Sequence, residues 1–176
     1  MGMNRVVIVG VCGSGKSYVA RELGRLLEAP VTHLDATYYD DDWNPLPQRE
    51  FAAAQRELVA GARWIIDGNY NGSLEIRLRA CDTVVMMDVS TWTALRGLFS
   101  RQARHGAGQH ASGVYNRINW TVISYVLGYR RRMRPRVLAK IREFAAGKDV
   151  VFLTGRARTR RWLEEVAGER SESPRV

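Results

Sequence analysis

Eight residues near the start of the chain, GVCGSGKS over positions 10–17, have the spacing G-x-x-x-x-G-K-S/T of a phosphate-binding loop. An apolar β-branched run, VVIV over positions 6–9, precedes the motif, and the segment after it repeats apolar residues at helical spacing. A strand, a glycine loop and a helix in this order can surround an anion, because the first backbone N–H groups of a helix have no partners within it. The motif therefore predicts a binding site for a nucleoside triphosphate.

The side chains of this motif have distinct expected roles. Lys16 is expected to neutralise the β- and γ-phosphates and so to act in catalysis, and Ser17 is expected to bind Mg²⁺. The predicted nucleotide contacts are Gly10, Cys12, Gly13, Ser14, Gly15, Lys16, Ser17 and Tyr18. The predicted cofactors are thus ATP or another nucleoside triphosphate, together with Mg²⁺.

Three further apolar runs end in an aspartate, namely Asp35, Asp67 and Asp88. A carboxylate on a strand beside the phosphate loop supplies the second magnesium contact in such sites. Asp67 is favoured for this role because Gly68 lets the chain turn close to the nucleotide, and Asp88 is the alternative, since it could instead cap a helix. Asp35 is expected to act in catalysis by accepting a hydroxyl proton or orienting an acceptor, with a turn or capping role as the alternative.

The acceptor site is expected to form around these acids. The predicted acceptor-binding residues are Asp35, Asp67, Asn69 and Arg77. Positions 35–42 carry four aspartates and no basic residue, whereas a nucleoside monophosphate would need cations in its pocket. An uncharged or cationic hydroxyl-bearing small molecule suits this segment at least as well.

Basic residues concentrate in the second half of the chain, since positions 96–142 hold eleven arginines and lysines and no acid. Such a block suits contacts to phosphates, a nucleic-acid surface or a solvated helix face. Arg101 and Arg104 lie three residues apart, so both can face one ligand, and guanidinium groups suit the charge that develops during phosphoryl transfer. We therefore include both among the predicted catalytic residues.

Composition limits the class of protein. The chain has 176 residues, a formal charge of +9 and two cysteines, which is consistent with a single domain and too few cysteines for a disulfide framework. No apolar run approaches the roughly 20 residues that span a bilayer, and no signal-peptide pattern is evident. The expectation is a cytoplasmic protein without membrane contact, either a monomer or a homodimer.

Apolar runs alternate with helical patterns along the whole chain. Five strands are expected near positions 6–9, 31–35, 64–67, 83–88 and 150–153, with helices at 16–28, 48–61, 73–80, 91–104, 114–129, 135–146 and 159–168. Continuous apolar strands separated by helices predict a three-layer α/β/α fold around a five-stranded parallel sheet. Residues 101–117, with a glycine-rich centre, are predicted to form a short lid, with an ordinary surface loop as the alternative. Residues 169–176 are predicted to form a disordered tail.

Several motifs together resemble the family of DNA topology modulation proteins, within the adenylate-kinase-like P-loop group. The matching residues are the phosphate loop, His33-Leu34-Asp35, Trp43, Pro45, Pro47, WIIDGNY at 64–70, Leu74, Arg77, Asp82-Thr83, Asp88, Trp92, Arg101 and Arg134-Pro135. The resemblance covers residues 5 to about 154, and this chain departs from the family pattern at 106–113. It implies a nucleotide-kinase-like fold.

Two functions of different classes follow. The leading one is a small kinase that transfers the γ-phosphoryl group of ATP to a small-molecule acceptor, with nucleotide hydrolysis as the fallback activity. The alternative is an ATP-regulated nucleic-acid-binding protein that uses the basic block. Trp120, Tyr125 and Tyr129 lie in that block, but their helical spacing indicates core positions.

Overall fold

The computed structural model describes residues 2–105, 108–110, 114–116 and 118–172, with side chains over 2–104 and 118–170. The elements are β1 (Arg5–Gly10), α1 (Lys16–Leu27), β2 (Val31–His33), α2 (Leu34–Tyr38), α3 (Gln48–Val59), β3 (Trp64–Asp67), α4 (Leu74–Ala80), β4 (Thr83–Met87), α5 (Thr91–His105), β5 (Gly108–His110), β6 (Val114–Asn116), α6 (Trp120–Arg132), α7 (Arg134–Phe144), β7 (Asp149–Leu153) and α8 (Arg156–Glu172). No helix in the described ranges is both long and apolar enough to span a bilayer.

The central sheet has five parallel strands in the order β2-β3-β1-β4-β7, which confirms the predicted fold class. Residues of β1 alternate between the two faces of the sheet. Val7 and Val9 pack with side chains of α3, α4 and α7, whereas Val6 and Ile8 pack with side chains of α1 and α8. Because both faces are covered, polar residues in the central strands occur only at their ends, namely Arg5, Asp67 and Thr83.

The region predicted as a lid contains a small antiparallel pair, β5 with β6, between α5 and α6. The helix expected from position 114 begins instead at Trp120, because the Asn119 side chain accepts a hydrogen bond from the Val122 N–H and caps the helix there. The rest of the predicted lid, residues 106, 107, 111–113 and 117, lies outside the described residues.

Three further expectations need correction. Asp35 lies in the first turn of α2 rather than at the end of a strand, since β2 stops at His33. Residues 169–172 belong to α8, where Arg170 donates hydrogen bonds to the carbonyls that end α1; residues 173–176 lie outside the described part. Trp120 is 76% exposed and is not a core residue, whereas Tyr129 is buried as expected.

The phosphate loop packs directly against the backbone of α5. A Cβ atom added at Gly97 would lie 2.0 Å from the carbonyl oxygen of Gly13, and one added at Gly13 would lie 2.2 Å from that of Ala94. Both contacts involve backbone atoms, which cannot move aside as the end of a flexible side chain can. Glycine at these two positions is therefore a requirement of the fold.

Two glycine-to-alanine changes in helices test this packing. We expect Gly97→Ala to lower the free energy of unfolding by about 1–3 kcal/mol because it overpacks the contact with Gly13. Gly168→Ala is the matched control: its Cβ meets nothing within 4 Å, so it should raise stability by up to about 1 kcal/mol. Urea unfolding of both variants measures the difference, and equal effects would contradict the packing argument.

Candidate functional site

A cavity of about 900 Å³ opens beside the carboxyl ends of the sheet strands. Ligands of open α/β sheets bind in this position. Its walls come from the phosphate loop, α2, the turn after β3, α5, α6 and the beginning of α8. The predicted site residues that line it are Cys12, Gly13, Ser14, Gly15, Lys16, Ser17, Tyr18, Asp35, Asp67, Asn69, Arg101 and Arg104. Gly10, Arg77 and Asp88 do not line it.

The phosphate loop has the backbone geometry that its glycines permit. Gly13 and Gly15 have φ angles of 79° and 96°, in the left-handed region that favours glycine. No described side chain caps the first turn of α1, so its N–H groups stay available to an anion. The hydroxyl of Ser14 is buried without a hydrogen-bond partner among the described residues. These unsatisfied donors fit a bound phosphate.

Asn69 ties the turn after β3 to the start of the phosphate loop. Its Oδ1 accepts from the Gly10 N–H at 2.8 Å, and its Nδ2 donates to the Gly10 carbonyl at 2.7 Å. The same Nδ2 donates to the Tyr125 hydroxyl at 2.9 Å, which adds α6 to the network. The backbone of Gly10 is therefore engaged by the protein, and the predicted nucleotide contact at Gly10 is replaced by a supporting role beneath the loop.

Arg77 of α4 holds the same turn through hydrogen bonds to its backbone. It is fully buried and donates to the Gly68 carbonyl at 2.6 Å, to the Asn69 carbonyl at 2.8 Å and to Gln55 Oε1 at 2.8 Å. Burial lowers the pKa of Arg77 to about 9, while the nearby charge of Asp67 opposes the fall. The predicted acceptor contact is corrected: all of these donors point to protein atoms, so Arg77 positions the turn.

Asp67 lies between this turn and the cavity. Its Oδ1 is 2.9 Å from His33 Nδ1, and its Oδ2 is buried without a hydrogen-bond partner in the described part of the chain. An unsatisfied carboxylate oxygen on a cavity wall suits a hard cation such as Mg²⁺. His33 lies two residues before Asp35, and the sequence offered no signal that it contacts Asp67, because that contact joins two different strands.

Asp88 is placed differently. Its two carboxylate oxygens accept from Arg134 at 2.8 and 2.6 Å, and this ion pair holds the pKa of Asp88 below its usual value. Met87 and Val89 line the cavity, whereas Asp88 between them does not. The carboxylate is therefore turned away from the site and paired with a guanidinium group.

Asp35 lies at the opposite end of the cavity from α8, among aromatic side chains. The Tyr70 hydroxyl donates to Asp35 Oδ1 at 2.5 Å, and burial together with the charge of Asp35 raises the pKa of Tyr70. The ring of Tyr70 packs against Tyr38 and Phe51, with centroids 4.8 Å apart in both pairs. These contacts fix one oxygen of Asp35, and they identify Tyr70 as a site residue that the sequence reasoning did not single out.

Cationic side chains approach the phosphate loop from two helices. Arg101 and Arg104 of α5 both line the cavity, as the three-residue spacing predicted. Arg104 also donates to the Ser100 hydroxyl at 2.7 Å. Arg156 and Arg160 at the start of α8 are exposed and line the cavity as well. Arg158 is also exposed and donates to the Phe152 carbonyl.

No protein-family model matches the chain. Among solved structures, a shikimate kinase from Acinetobacter baumannii in complex with shikimate is similar over 93% of this chain and 90% of its own, with a TM-score of 0.57 and 16% identity. A shikimate kinase from Bacteroides thetaiotaomicron is similar over 96% and 98%, with a TM-score of 0.54 and 15% identity. A sugar kinase from Janibacter sp. HTCC2649 is similar over 96% of this chain and 92% of its own, with a TM-score of 0.51 and 14% identity. At these identities the likeness establishes the fold, which is that of P-loop small-molecule kinases.

The buried guanidinium of Arg77 can be compared with an exposed arginine on the same helix. We expect Arg77→Met to lower the free energy of unfolding by about 3 kcal/mol or more, because several buried acceptors lose charged donors. Arg79 pairs with Glu75 at the surface and stacks on Phe144, so Arg79→Met should cost about 1 kcal/mol. Chemical denaturation measures both, and similar losses would contradict the supporting role of Arg77.

Proposed function

We propose that this protein is a kinase that transfers the γ-phosphoryl group of a nucleoside triphosphate, ATP being the first candidate, to a hydroxyl group of a small molecule. One observation carries the proposal: a single cavity connects the phosphate loop with the carboxylate of Asp35. A nucleotide-binding protein without an acceptor would not need a second set of polar groups beside the phosphates. The kinase-like fold of the similar structures is consistent with this activity.

The donor nucleotide would bind where unsatisfied N–H groups and cations converge. The loop around Lys16 and the first turn of α1 would hold the β- and γ-phosphates, and Arg101 and Arg104 would contact the transferring group from α5. The base and ribose would lie toward the start of α8, beside Arg156 and Arg160. The guanidinium groups would stabilise the charge that spreads over the equatorial oxygens during transfer.

The acceptor would bind at the end of the cavity that holds Asp35. Its hydroxyl oxygen attacks the γ-phosphorus and forms a new O–P bond, while the bond from the γ-phosphorus to the β,γ-bridging oxygen breaks and ADP leaves with the electron pair. The hydroxyl proton passes to Asp35, whose Oδ2 is not used by Tyr70. Tyr70 keeps the carboxylate in place through the hydrogen bond to Oδ1.

Ser17 and Asp67 would hold Mg²⁺ in this site, and the unsatisfied Oδ2 of Asp67 fits such an ion. When bound, the ion would neutralise part of the phosphate charge and polarise the transferring group. His33 would keep Asp67 oriented through the contact to Oδ1. Asp88, the alternative magnesium ligand, has both carboxylate oxygens engaged by Arg134.

The kinase activity can be tested by screening small hydroxylated metabolites for ADP release with Mg·ATP. With an active acceptor, Lys16→Ala should abolish turnover, and Asp35→Asn should lower kcat by about 10²–10⁴-fold because the proton acceptor is lost. Asp42→Asn is the control, since Asp42 belongs to the same acidic segment but does not line the cavity; it should retain full activity. If no acceptor exceeds background hydrolysis, the kinase proposal fails.

A Mg²⁺ titration of enzyme activity distinguishes the two candidate magnesium ligands, Asp67 and Asp88. Asp67→Asn should raise the Mg²⁺ concentration for half-maximal activity by about tenfold or more. Asp88→Asn should leave that concentration unchanged and lower stability by about 1–3 kcal/mol, because Arg134 loses its partner. Since the pKa of Asp88 is lowered in the fold, this stabilisation is present above the usual aspartate pKa and is lost as the pH falls through the folded value. A shifted Mg²⁺ requirement in Asp88→Asn alone would reverse the assignment.

A further inference from the structure

The two ends of the cavity carry opposite charges. The cationic side chains that line it belong to α1, α5 and α8, on the side proposed to hold the nucleotide: Lys16, Arg21, Arg101, Arg104, Arg156 and Arg160. Other elements contribute acidic and phenolic residues to the lining, and these form the end proposed to hold the acceptor: Asp35, Tyr39, Asp67, Tyr70 and Tyr125, from α2 and the residue after it, the end of β3, the turn after β3, and α6. None of the described lysines and arginines that line the cavity comes from these segments.

The absence of cations here follows from the chain itself. Positions 31–48 contain no lysine or arginine, so neither β2 nor the segment after it can supply one. Arg77 is the buried cation near Asp67, but its donors are engaged by backbone carbonyls and by Gln55. A negatively charged acceptor group would therefore meet two carboxylates and, from the described residues of these segments, no lysine or arginine as counter-charge, which in a partly desolvated cavity is strongly unfavourable.

Neither Asp35 nor Asp67 forms an ion pair with a lysine or arginine among the described residues. Asp35 accepts a hydrogen bond from the neutral phenol of Tyr70 and forms no ion pair within the described part of the chain. Asp67 is 4% exposed, contacts His33 through Oδ1 and leaves Oδ2 unsatisfied. A magnesium ion at Asp67 would still leave Asp35 without a cation. Tyr39 and Tyr70 also line the cavity, and aromatic faces attract ammonium groups.

We propose that the phosphoryl acceptor is a small hydroxyl-bearing amine whose ammonium group binds beside Asp35, Tyr39 and Tyr70. This inference rests on the proposed kinase function and names the substrate class of the same site. The hydroxyl group faces the phosphate loop and donates to Asp35, while the ammonium group supplies a counter-charge that no described lysine or arginine of these segments supplies. Hydroxy acids and nucleoside monophosphates are disfavoured, because each brings a further anion to this end.

The test compares hydroxylated probes of similar size that are cationic, neutral or anionic. The full chain is loaded with Mg²⁺ and a non-hydrolysable ATP analogue at neutral pH, and binding is measured by calorimetry for glucosamine, glucose and glucuronate, and for 2-aminoethanol, ethylene glycol and glycolate. In each set the amine should bind about tenfold or more tightly than the neutral probe, and the acid should bind most weakly. Equal binding within both sets, including no measurable binding by any probe, contradicts a charge-selective acceptor end, and tighter binding of the acids overturns the proposal.

Variants assign the selectivity to this end of the cavity. Asp35→Asn should reduce the preference for the amine to less than about threefold, because the uncompensated charge is removed. Asp42→Asn should keep the full preference, which shows that the effect is local rather than a property of the whole acidic segment. If both variants retain it, the ammonium group does not bind beside Asp35. The wild-type comparison decides the proposal even if Asp35→Asn is poorly folded.

Adding ATP separates the two proposals. If the amines bind selectively but none increases ADP release above hydrolysis, the kinase function fails while the cavity still selects cations. If a hydroxy acid or a nucleoside monophosphate is phosphorylated at least as efficiently as every amine, the kinase function holds and the amine inference is overturned. Phosphorylation of an amine probe with a higher kcat/KM than its neutral counterpart supports both.

Discussion

The site depends on a positive charge that the fold buries. Arg77 has no access to water, so its guanidinium group must find its acceptors inside the protein. It takes them from the backbone carbonyls of Gly68 and Asn69 and from Gln55 on α3. These hydrogen bonds fix the turn after β3. The turn contains Asn69 and follows Asp67 directly, so it positions both side chains. A helix facing the opposite side of the sheet from α1 thus determines where two polar side chains of the cavity lie.

The phosphate loop is held by backbone contacts from two directions. Asn69 satisfies both the N–H and the carbonyl of Gly10, and Gly13 lies against Gly97 on α5 so closely that neither can carry a side chain. A loop fixed in this way keeps its N–H groups oriented before any anion arrives, which lowers the reorganisation that binding would require. The same contacts join α5, and hence Arg101 and Arg104, to the loop as one unit.

Features that depend on residues close together in the chain could be predicted from the sequence. The apolar runs give the five strands, and the glycine motif gives the loop, because both patterns are local. The sequence favoured Asp67 over Asp88 only from the neighbouring Gly68, and it could not show that Asp88 pairs with Arg134, which lies 46 residues further along the chain. The exposure of Trp120 and the contact of His33 with Asp67 depend likewise on how distant elements pack. Helical spacing alone does not tell which of two apolar faces is covered.

The charge asymmetry of the cavity has its origin in the topology. The loops after β1, β4 and β7 lead into α1, α5 and α8, which bring the cationic residues, whereas the aspartates and tyrosines of the other end come from the end of β3, the segments after β2 and β3, and α6. The residues proposed to hold the phosphoryl donor and those proposed to hold the acceptor therefore belong to different segments. Changes in the segment after β2 would alter the proposed acceptor end without touching the phosphate loop, as expected for a fold that hosts many activities. The turn after β3 has less freedom, because Asn69 in this turn also holds the backbone of Gly10. The segment after β2 carries four aspartates and no lysine or arginine. The chemical class of the proposed acceptor is therefore better inferred from these local charges than from the resemblance of the fold to other kinases.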